Sequence, residues 1–474
     1  MQAARAVGPA RRNRCSICRS EGHNARNCPQ KPVGCNPPPN RAAGAAGNAQ
    51  ILVRVLNGQI LEDEEGKEND PLSDGSEEGS DGSDGANDNE DEHDYPLRDS
   101  WRLCEVDALP EGASPLGVLP EFIPAGIGIG KAHDLEDVQE DSTLQHFRLF
   151  YPDIIFDKFL TATNSYGRMK YRLMWKAIDL AEFKSFLACI LHLGIVKYAN
   201  RRDAWSTGLS GSRFLRSIIT RDRFDQILTC WRHIDYSLYS NEELNLMKAD
   251  DPFWAVAEYC EVLSQQFGLL WNPGQFLDVD EQTIPWKGRH KCRNYNPNKP
   301  EKWHFKVWSL NDSSTGYQLN HKLYRGKAEQ RPEGMSATAY PAYVLLQDEK
   351  YHHRGHIEFS DNFFSSFDQT GINAERGIHS VGTLRANRQG LPHAHRGKMI
   401  RGEFITKVTD WRGIRVWYTE WQDRKVVKML HTFPTFLGDC QRNVKGNQGW
   451  EKRIFNRPTV IKLYNKGITA FINI

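Results

Sequence analysis

No stretch of this 474-residue chain is both long and free of polar side chains. The most apolar run, FLACILHLGI at 186–195, is ten residues long and holds a histidine, whereas a membrane-spanning helix needs about 20 apolar residues. No membrane partner is expected, and the run suits a core helix. The opening residues, MQAARAVGPARRNRC, lack the apolar centre of a secretory signal. Cysteine is sparse, ten in all with only four close together near the start, which excludes a dense disulfide framework and fits a reducing compartment. Large apolar residues are nearly absent from 62–94. A segment of Ser, Gly and Asp cannot bury enough surface to offset its chain entropy.

Charge is unevenly spread. The chain as a whole nets +1, yet 62–94 holds sixteen Asp/Glu and one Lys, a local charge of −15. The rest carries 60 basic and 44 acidic side chains, +16 in all, of which residues 1–61 supply +8. A basic body with an acidic tether points to a nucleic-acid partner, with a merely solvated surface as the alternative.

The composition divides the chain into a basic, Cys-rich head at 1–40, a disordered acidic linker at 41–127, a helical domain at 128–275 and an α/β domain at 276–474. Helical spacing covers 144–162, 179–198, 221–231 and 253–269, with Asp179 and Glu182 placed as a capping box. From 276 the period changes. Strands are expected at 276–284, 303–310 and 317–324, a helix near 337–349, a strand at 356–360, a helix at 363–375 and a strand at 378–384. Two further strands are expected at 413–421 and 425–433. Helices followed by this order indicate an α/β sheet behind a helical region.

The head carries a complete CCHC spacing, Cys15, Cys18, His23 and Cys28. Three thiolates and one imidazole make a tetrahedral Zn²⁺ set, and so short a peptide would draw its folding energy from the metal. The segment resembles a zinc knuckle, a module that binds single-stranded DNA or RNA. Arg11, Arg12, Arg14, Arg19 and Arg26 surround the ligands, but no aromatic residue is present to stack a base. A protein-binding role therefore stays open. Cys35 falls outside the spacing.

Asp280 lies within the expected strand 276–284, and Asp361 stands at the end of the one at 356–360. Two strands in meander and a crossover helix lie between them, which returns the Asp361 strand parallel to and beside the Asp280 strand. Carboxylates brought together in this way are ligands for Mg²⁺ or Mn²⁺, and two such ions serve phosphodiester chemistry. The segment that follows Asp280 carries Lys287, Arg289, Lys291, Arg293, Lys299 and Lys302, with Trp286, Tyr295 and Trp303 interleaved, and Arg385 and Arg388 follow a later strand. Such loops suit a phosphate backbone.

Over residues 140–467 the chain resembles the PiggyBac transposase family, including its element-derived members. The resemblance rests on TNSY (163–166), HLGI (192–195), AWS (204–206), RDRFDQI (221–227), DEQ (280–282), KGR (287–289), NKPEKW (298–303), KVW (306–308) and TGY (315–317). SDNFF (360–364), VGTLRANR (381–388) and YNKG (464–467) complete it in register. It implies an RNase H-like core, with an insertion at about 385–455, behind a helical dimerisation and DNA-binding region. It further implies a metal-dependent DDE mechanism whose first two acids are Asp280 and Asp361, a DNA partner, a homodimer and a place in the nucleus.

The chain departs from the family in carrying its zinc motif at the front and in its last acid. The family's third aspartate follows a YNK-type motif, but here GITAFINI follows it. The expectation is thus a core truncated at its C-terminal helix, with one sheet face partly uncovered. Three functions follow: a transposase-derived nucleic-acid-binding protein not competent for strand transfer; an active DDE transposase, with Asp278 on the Asp280 face as a candidate third acid; or a zinc-knuckle adaptor for protein partners.

Replacing Cys18 or His23 by Ala opens the zinc tetrahedron. The expected outcome is loss of stoichiometric zinc by metal analysis, with the body still folded. Unchanged zinc content would remove the assignment.

Overall fold

Pro152 divides the first long helical pattern. The spacing over 144–162 predicts one helix, whereas the structure, a computed structural model describing residues 95–130, 142–297, 299–326, 329–446 and 449–468, has two. They are α1 (Thr143–Phe150) and α2 (Asp153–Tyr171). Proline lacks an N–H and turns the preceding residue toward extended backbone, so Tyr151 closes α1 and Pro152 caps α2. The candidate zinc ligands Cys15, Cys18, His23 and Cys28 lie outside the described residues.

Five more helices follow: α3 (Leu180–Ile195), α4 (Arg213–Ile218), α5 (Arg221–Cys230), α6 (Asn241–Asp250) and α7 (Ala257–Leu270). The Asp179 carboxylate accepts the Glu182 N–H at 2.7 Å and starts α3. Glu182, the other half of the expected capping box, is engaged by Arg223 of α5 through two bonds of 2.8 Å each. The same guanidinium lies 5.0 Å from the Trp175 ring centre. Phe156, Phe159, Phe183, Phe186, Phe224 and Trp231 fill the space between the helices, largely edge to face. Asn164 ties the chain after α2 back to it. Its amide donates to the Ile178 carbonyl at 2.8 Å, and its oxygen accepts from Ile178 N at 2.8 Å and Trp175 Nε1 at 3.1 Å. Trp175 lies so close that a Cβ on Gly167 would stand 2.2 Å from its ring.

The second half is built on one sheet. Its strands are β4 (Phe276–Pro285), β5 (Asn294–Tyr295), β6 (Trp303–Asp312), β7 (Gln318–Leu323), β8 (Ile357–Ser360), β9 (His379–Thr383), β10 (Phe404–Trp411), β11 (Ile414–Gln422) and β12 (Val426–His431), joined at one edge by β1 (Arg102–Cys104). The order runs β1-β10-β11-β12-β9-β8-β4-β6, with β7 and β5 both paired to β6. β4, β6 and β7 form an antiparallel meander; β8 and β9 then join in parallel to the other side of β4. Helices α8 (Tyr340–Leu345) and α9 (Phe367–Glu375) make the crossovers. A short pair, β2 (Gly128–Ile129) with β3 (Trp271–Asn272), precedes the sheet.

Three expectations need correction. Residues 95–127, assigned to a disordered linker, pack on the sheet. Trp101 is buried, with its ring 6.0 Å from those of Phe367 and Tyr418, and its Nε1 donates to the Gly390 carbonyl at 3.0 Å. β1 then covers the open edge of β10, and Gln275 donates to the Pro120 carbonyl at 2.8 Å. The low apolar content of 62–94 does not extend here, since Trp101, Leu116 and Leu119 all join the core.

The core is also not uncovered where a C-terminal helix was expected to be missing. α10 (Thr459–Gly467) lies on that face, burying Val460, Ile461 and Leu463 against Phe276, Ile357 and Phe359. Gly467 permits the approach, because a Cβ there would stand 2.4 Å from the Phe359 ring. Finally, of the expected insertion at 385–455, β10, β11 and β12 extend the main sheet, while β13 (Leu437–Gly446) and β14 (Gly449–Pro458) form a separate two-stranded ribbon.

Trp101→Ala should lower unfolding free energy by about 3–5 kcal/mol, the usual cost of deleting a buried large aromatic, and expose 95–104 to proteases. Denaturant unfolding and limited proteolysis check this. Wild-type values in both would mean that the segment is not part of the folded body.

Candidate functional site

β4 and β8 run side by side in parallel, and their register ends with Val279 opposite Ser360. The next residue on each is an aspartate, Asp280 and Asp361. Along β4 the side chains alternate, so Phe276, Asp278 and Asp280 share the face covered by α10, while Leu277 and Val279 enter the core beneath α8. Phe276 packs on Phe359, ring centres 5.5 Å apart, and fixes this arrangement just below the acids.

The acids differ in their surroundings. Asp280 and Asp361 are half-buried. The Asp280 Oδ1 accepts the Glu281 N–H at 2.7 Å. Burial pushes the Asp280 carboxyl up to about 6; the Glu281 N–H opposes this, the Asp361 charge adds to it and Lys299 offsets part. Asp278 is fully buried, and neither carboxylate oxygen has a hydrogen-bond partner. Burial, then the charges of Asp280, Glu358 and Asp361, hold its carboxyl well above the ordinary range. Glu358 is buried too, and accepts from Gln369 and Asn373 of α9. Burial still raises it to about 8.

The Tyr464 hydroxyl of α10 lies 3.4 Å from Thr383 Oγ1. Burial raises its phenol, and the charges of Asp361, Asp278 and Asp280 raise it further. Reading the chain as lacking this helix hid Tyr464. The signal was available: Val460, Ile461, Leu463 and Tyr464 after Pro458 follow helical spacing.

Among the described residues, no group of three or more His, Cys, Asp or Glu side chains is arranged to hold a metal ion. The donors still fit a hard divalent cation, which takes carboxylate oxygen and would relieve the crowding of like charge around the unpartnered Asp278. Asp280 and Asp361 are the residues that would hold it.

The basic positions divide in two. Lys287, Arg289, Lys291 and Lys302 are exposed. Arg293 is committed to the loop: its guanidinium lies 4.0 Å from the Trp303 ring centre and donates to the Gly288 carbonyl at 2.9 Å. Lys299 and Lys306 both reach the Glu281 carboxylate, at 3.7 and 3.2 Å. Trp286 is buried against Phe305, whereas Tyr295 and Trp303 stay exposed with ring centres 4.6 Å apart. Arg385 donates to Asn362 Oδ1 at 3.1 Å, and Arg388 to the carbonyls of Asn362 and Phe363 at 2.9 and 2.6 Å. Both brace the turn that carries Asp361.

A family model described as "Transposase IS4" matches residues 142–472. PiggyBac transposable element-derived protein 3 of Homo sapiens is 24% identical over 327 residues, 67% of this chain and 52% of its own length. PiggyBac transposable element-derived protein 5 of Homo sapiens is 23% identical over 307 residues, 59% of this chain and 55% of its own. The chain thus spans about half the length of these curated relatives. Among solved structures, a piggyBac transposase synaptic complex with hairpin DNA aligns with a TM-score of 0.56 at 22% identity, covering 68% of this chain and 65% of that one. That likeness is one of fold.

Asp280 and Glu358 bind their protons more tightly folded than unfolded. Their stabilising contribution is therefore complete below about pH 4 and is lost as pH rises through about 6 for Asp280 and about 8 for Glu358. In chelator, the melting temperature should fall from pH 5 to pH 9. Asp278→Asn should raise it at the alkaline end, and Mg²⁺ should raise it for wild type but not for Asp280→Asn. A flat profile in calorimetry that ignores both Mg²⁺ and the substitutions would contradict this electrostatic account.

Proposed function

The chain belongs to the PiggyBac transposase family, and on that premise we propose that it binds DNA across the end of the sheet where Asp280 and Asp361 lie, without itself cleaving or joining strands. The observation that carries this reading is the placement of four exposed cations, Lys287, Arg289, Lys291 and Lys302, on the loop that follows β4, the strand that holds Asp280. The antiparallel β4–β6–β7 meander with β8 and β9 added in parallel is the strand order of an RNase H-like core and supports the same reading. So does the hairpin DNA named for the solved relative.

Ligand count favours binding over catalysis. A two-ion site needs several hard oxygen ligands to hold its ions at about 3.5–4 Å. Asp280 and Asp361 supply enough for one Mg²⁺ or Mn²⁺ between them, and Tyr464 occupies the helix position above. A bound ion there would supply Lewis acidity; this chain's residues orient the phosphate and screen its charge. A second reading, an active metal-dependent transposase, is favoured by Asp278, whose buried unpartnered carboxylate faces the same side. At the front, the CCHC ligands Cys15, Cys18, His23 and Cys28 would add a Zn²⁺-held knuckle for single strands, in a protein resident in the nucleus.

Filter binding with duplex DNA tests the proposal. Each phosphate contact contributes about −0.9 to the log–log salt slope, so Lys287→Ala with Arg289→Ala should make the slope shallower by about 2. Salt-insensitive or absent binding would favour the adaptor instead. A donor-end nicking assay with Mn²⁺ should give no product; nicking abolished by Asp280→Ala would establish the second reading.

A further inference from the structure

The ribbon β13–β14 has no part in the site described above. Its strands pair from Leu437 opposite Pro458 to Gly446 opposite Gly449. Alternation places Gln441, Asn443 and Lys445 on one face, opposite Ile454, Lys452 and Trp450 in turn. Cys440 and Phe455, on the other face, turn into the core. The first face is open, with Trp450 73% and Ile454 71% exposed. An indole held so far out of the core contributes little to folding, and among the described residues no ring or cation packs on it.

Beside it lies a cleft of about 520 Å³ lined by Arg401, Asp423, Arg424, Arg442, Asn443 and Lys452. Asp423 accepts from Arg401 Nε at 2.7 Å and from Arg442 Nε at 3.3 Å. One carboxylate thus serves two guanidiniums, while Arg424 and Lys452 add further positive charge. Arg442 alternates onto the Cys440 face, and its cross-strand neighbour Arg453 is paired with Glu451, so the excess at the cleft is that of Arg401, Arg424, Arg442 and Lys452 over Asp423. The excess calls for an anion.

We propose that this face of the ribbon binds single-stranded DNA, with backbone phosphate in the cleft and an unpaired base stacked on Trp450. The inference rests on the DNA-binding reading above but uses none of its residues. Trp450 and Lys452 are two residues apart on one strand, about 7 Å, a separation that one nucleotide spans. A duplex encloses its base faces within the helix, so only an unpaired base can offer one to an exposed indole. Phosphate attraction without base reading makes the site tolerant of sequence.

The test is fluorescence anisotropy of the full chain with labelled oligothymidylate of about 20 nucleotides, longer than the roughly 4–16 nucleotide sites of strand-binding folds, and with a duplex of equal length. Trp450→Ala should weaken single-strand binding about tenfold, the size of one lost base stack, while Trp450→Phe retains most of it and duplex affinity stays unchanged. Arg424→Ala with Lys452→Ala should make the single-strand salt slope shallower by about 1.4, from about 0.7 per phosphate. All these side chains are exposed or line an open cleft, and unchanged melting confirms that the variants fold. Ribbon variants that bind the single strand like wild type would overturn the inference, as would an equal loss on duplex from Trp450→Ala. If wild type binds neither oligonucleotide, the DNA-binding reading fails with it. If only the Lys287→Ala, Arg289→Ala variant weakens binding, that reading stands and this inference falls.

Discussion

Parallel pairing of β4 with β8 is the constraint on which the rest of the structure depends. It carries Asp280 and Asp361 to adjacent positions where the β4–β8 pairing ends and leaves the Asp278 carboxylate buried on the same face with no hydrogen-bond partner. Like charges in a low-dielectric setting oppose folding, since each carboxylate loses hydration and gains a repulsive neighbour. The fold offsets this with the surrounding apolar layer. Phe276, Ile357 and Phe359 below the acids pack against Val460, Ile461 and Leu463 of α10. Stability is thus supplied by the hydrophobic floor, and the acid cluster is a local cost of the kind found where function and stability conflict.

The elements flanking the seam hold it in place. Arg385 and Arg388 from the chain after β9 grip the carbonyls and amide at Asn362 and Phe363, so the turn after Asp361 is fixed by charge-assisted bonds rather than left to loop entropy. On the opposite face, Gln369 and Asn373 of α9 satisfy one side of Glu358. Further out, Arg293 is stacked on Trp303, which shapes the basic loop and leaves Lys287, Arg289, Lys291 and Lys302 to face solvent. Within one loop Arg293 is held by Trp303 and the Gly288 carbonyl, Lys299 shares Glu281, and Lys291 reaches the Lys248 carbonyl at 3.5 Å. Of these only Lys299 has its charge partly neutralised, and the exposed cations remain available to a polyanion.

The positive surface is not confined to that loop. A second concentration sits at the ribbon, where Asp423 neutralises a fraction of the surrounding guanidinium charge. The long acidic run at 62–94 balances the chain's total charge in the sequence, while screening limits each field to about 8–10 Å at physiological salt. Net charge near zero therefore conceals strongly basic regions.

Much of the fold was legible from the chain alone. Period two over 276–284, 303–310 and 317–324, and helical spacing over 179–198 and 221–231, depend on neighbours along the chain and were readable from it. The acid pair was legible for a related reason: a meander followed by a crossover leaves few places for the next strand. Other features were decided by tertiary contact. Residues 95–127 have a composition too mixed to distinguish a linker from a strap until Trp101 meets Phe367 and Tyr418. α10 was missed although Val460, Ile461, Leu463 and Tyr464 keep helical spacing; the ten-residue strands of the ribbon were missed because they are largely exposed and charged and so lack an apolar alternation to read. The split between free and committed cations was also invisible, since Lys287 and Arg293 differ in the ring beneath them and not in residue class. Local spacing fixes which elements form; burial, charge pairing and edge covering depend on residues hundreds of positions apart, and only the folded chain brings those together.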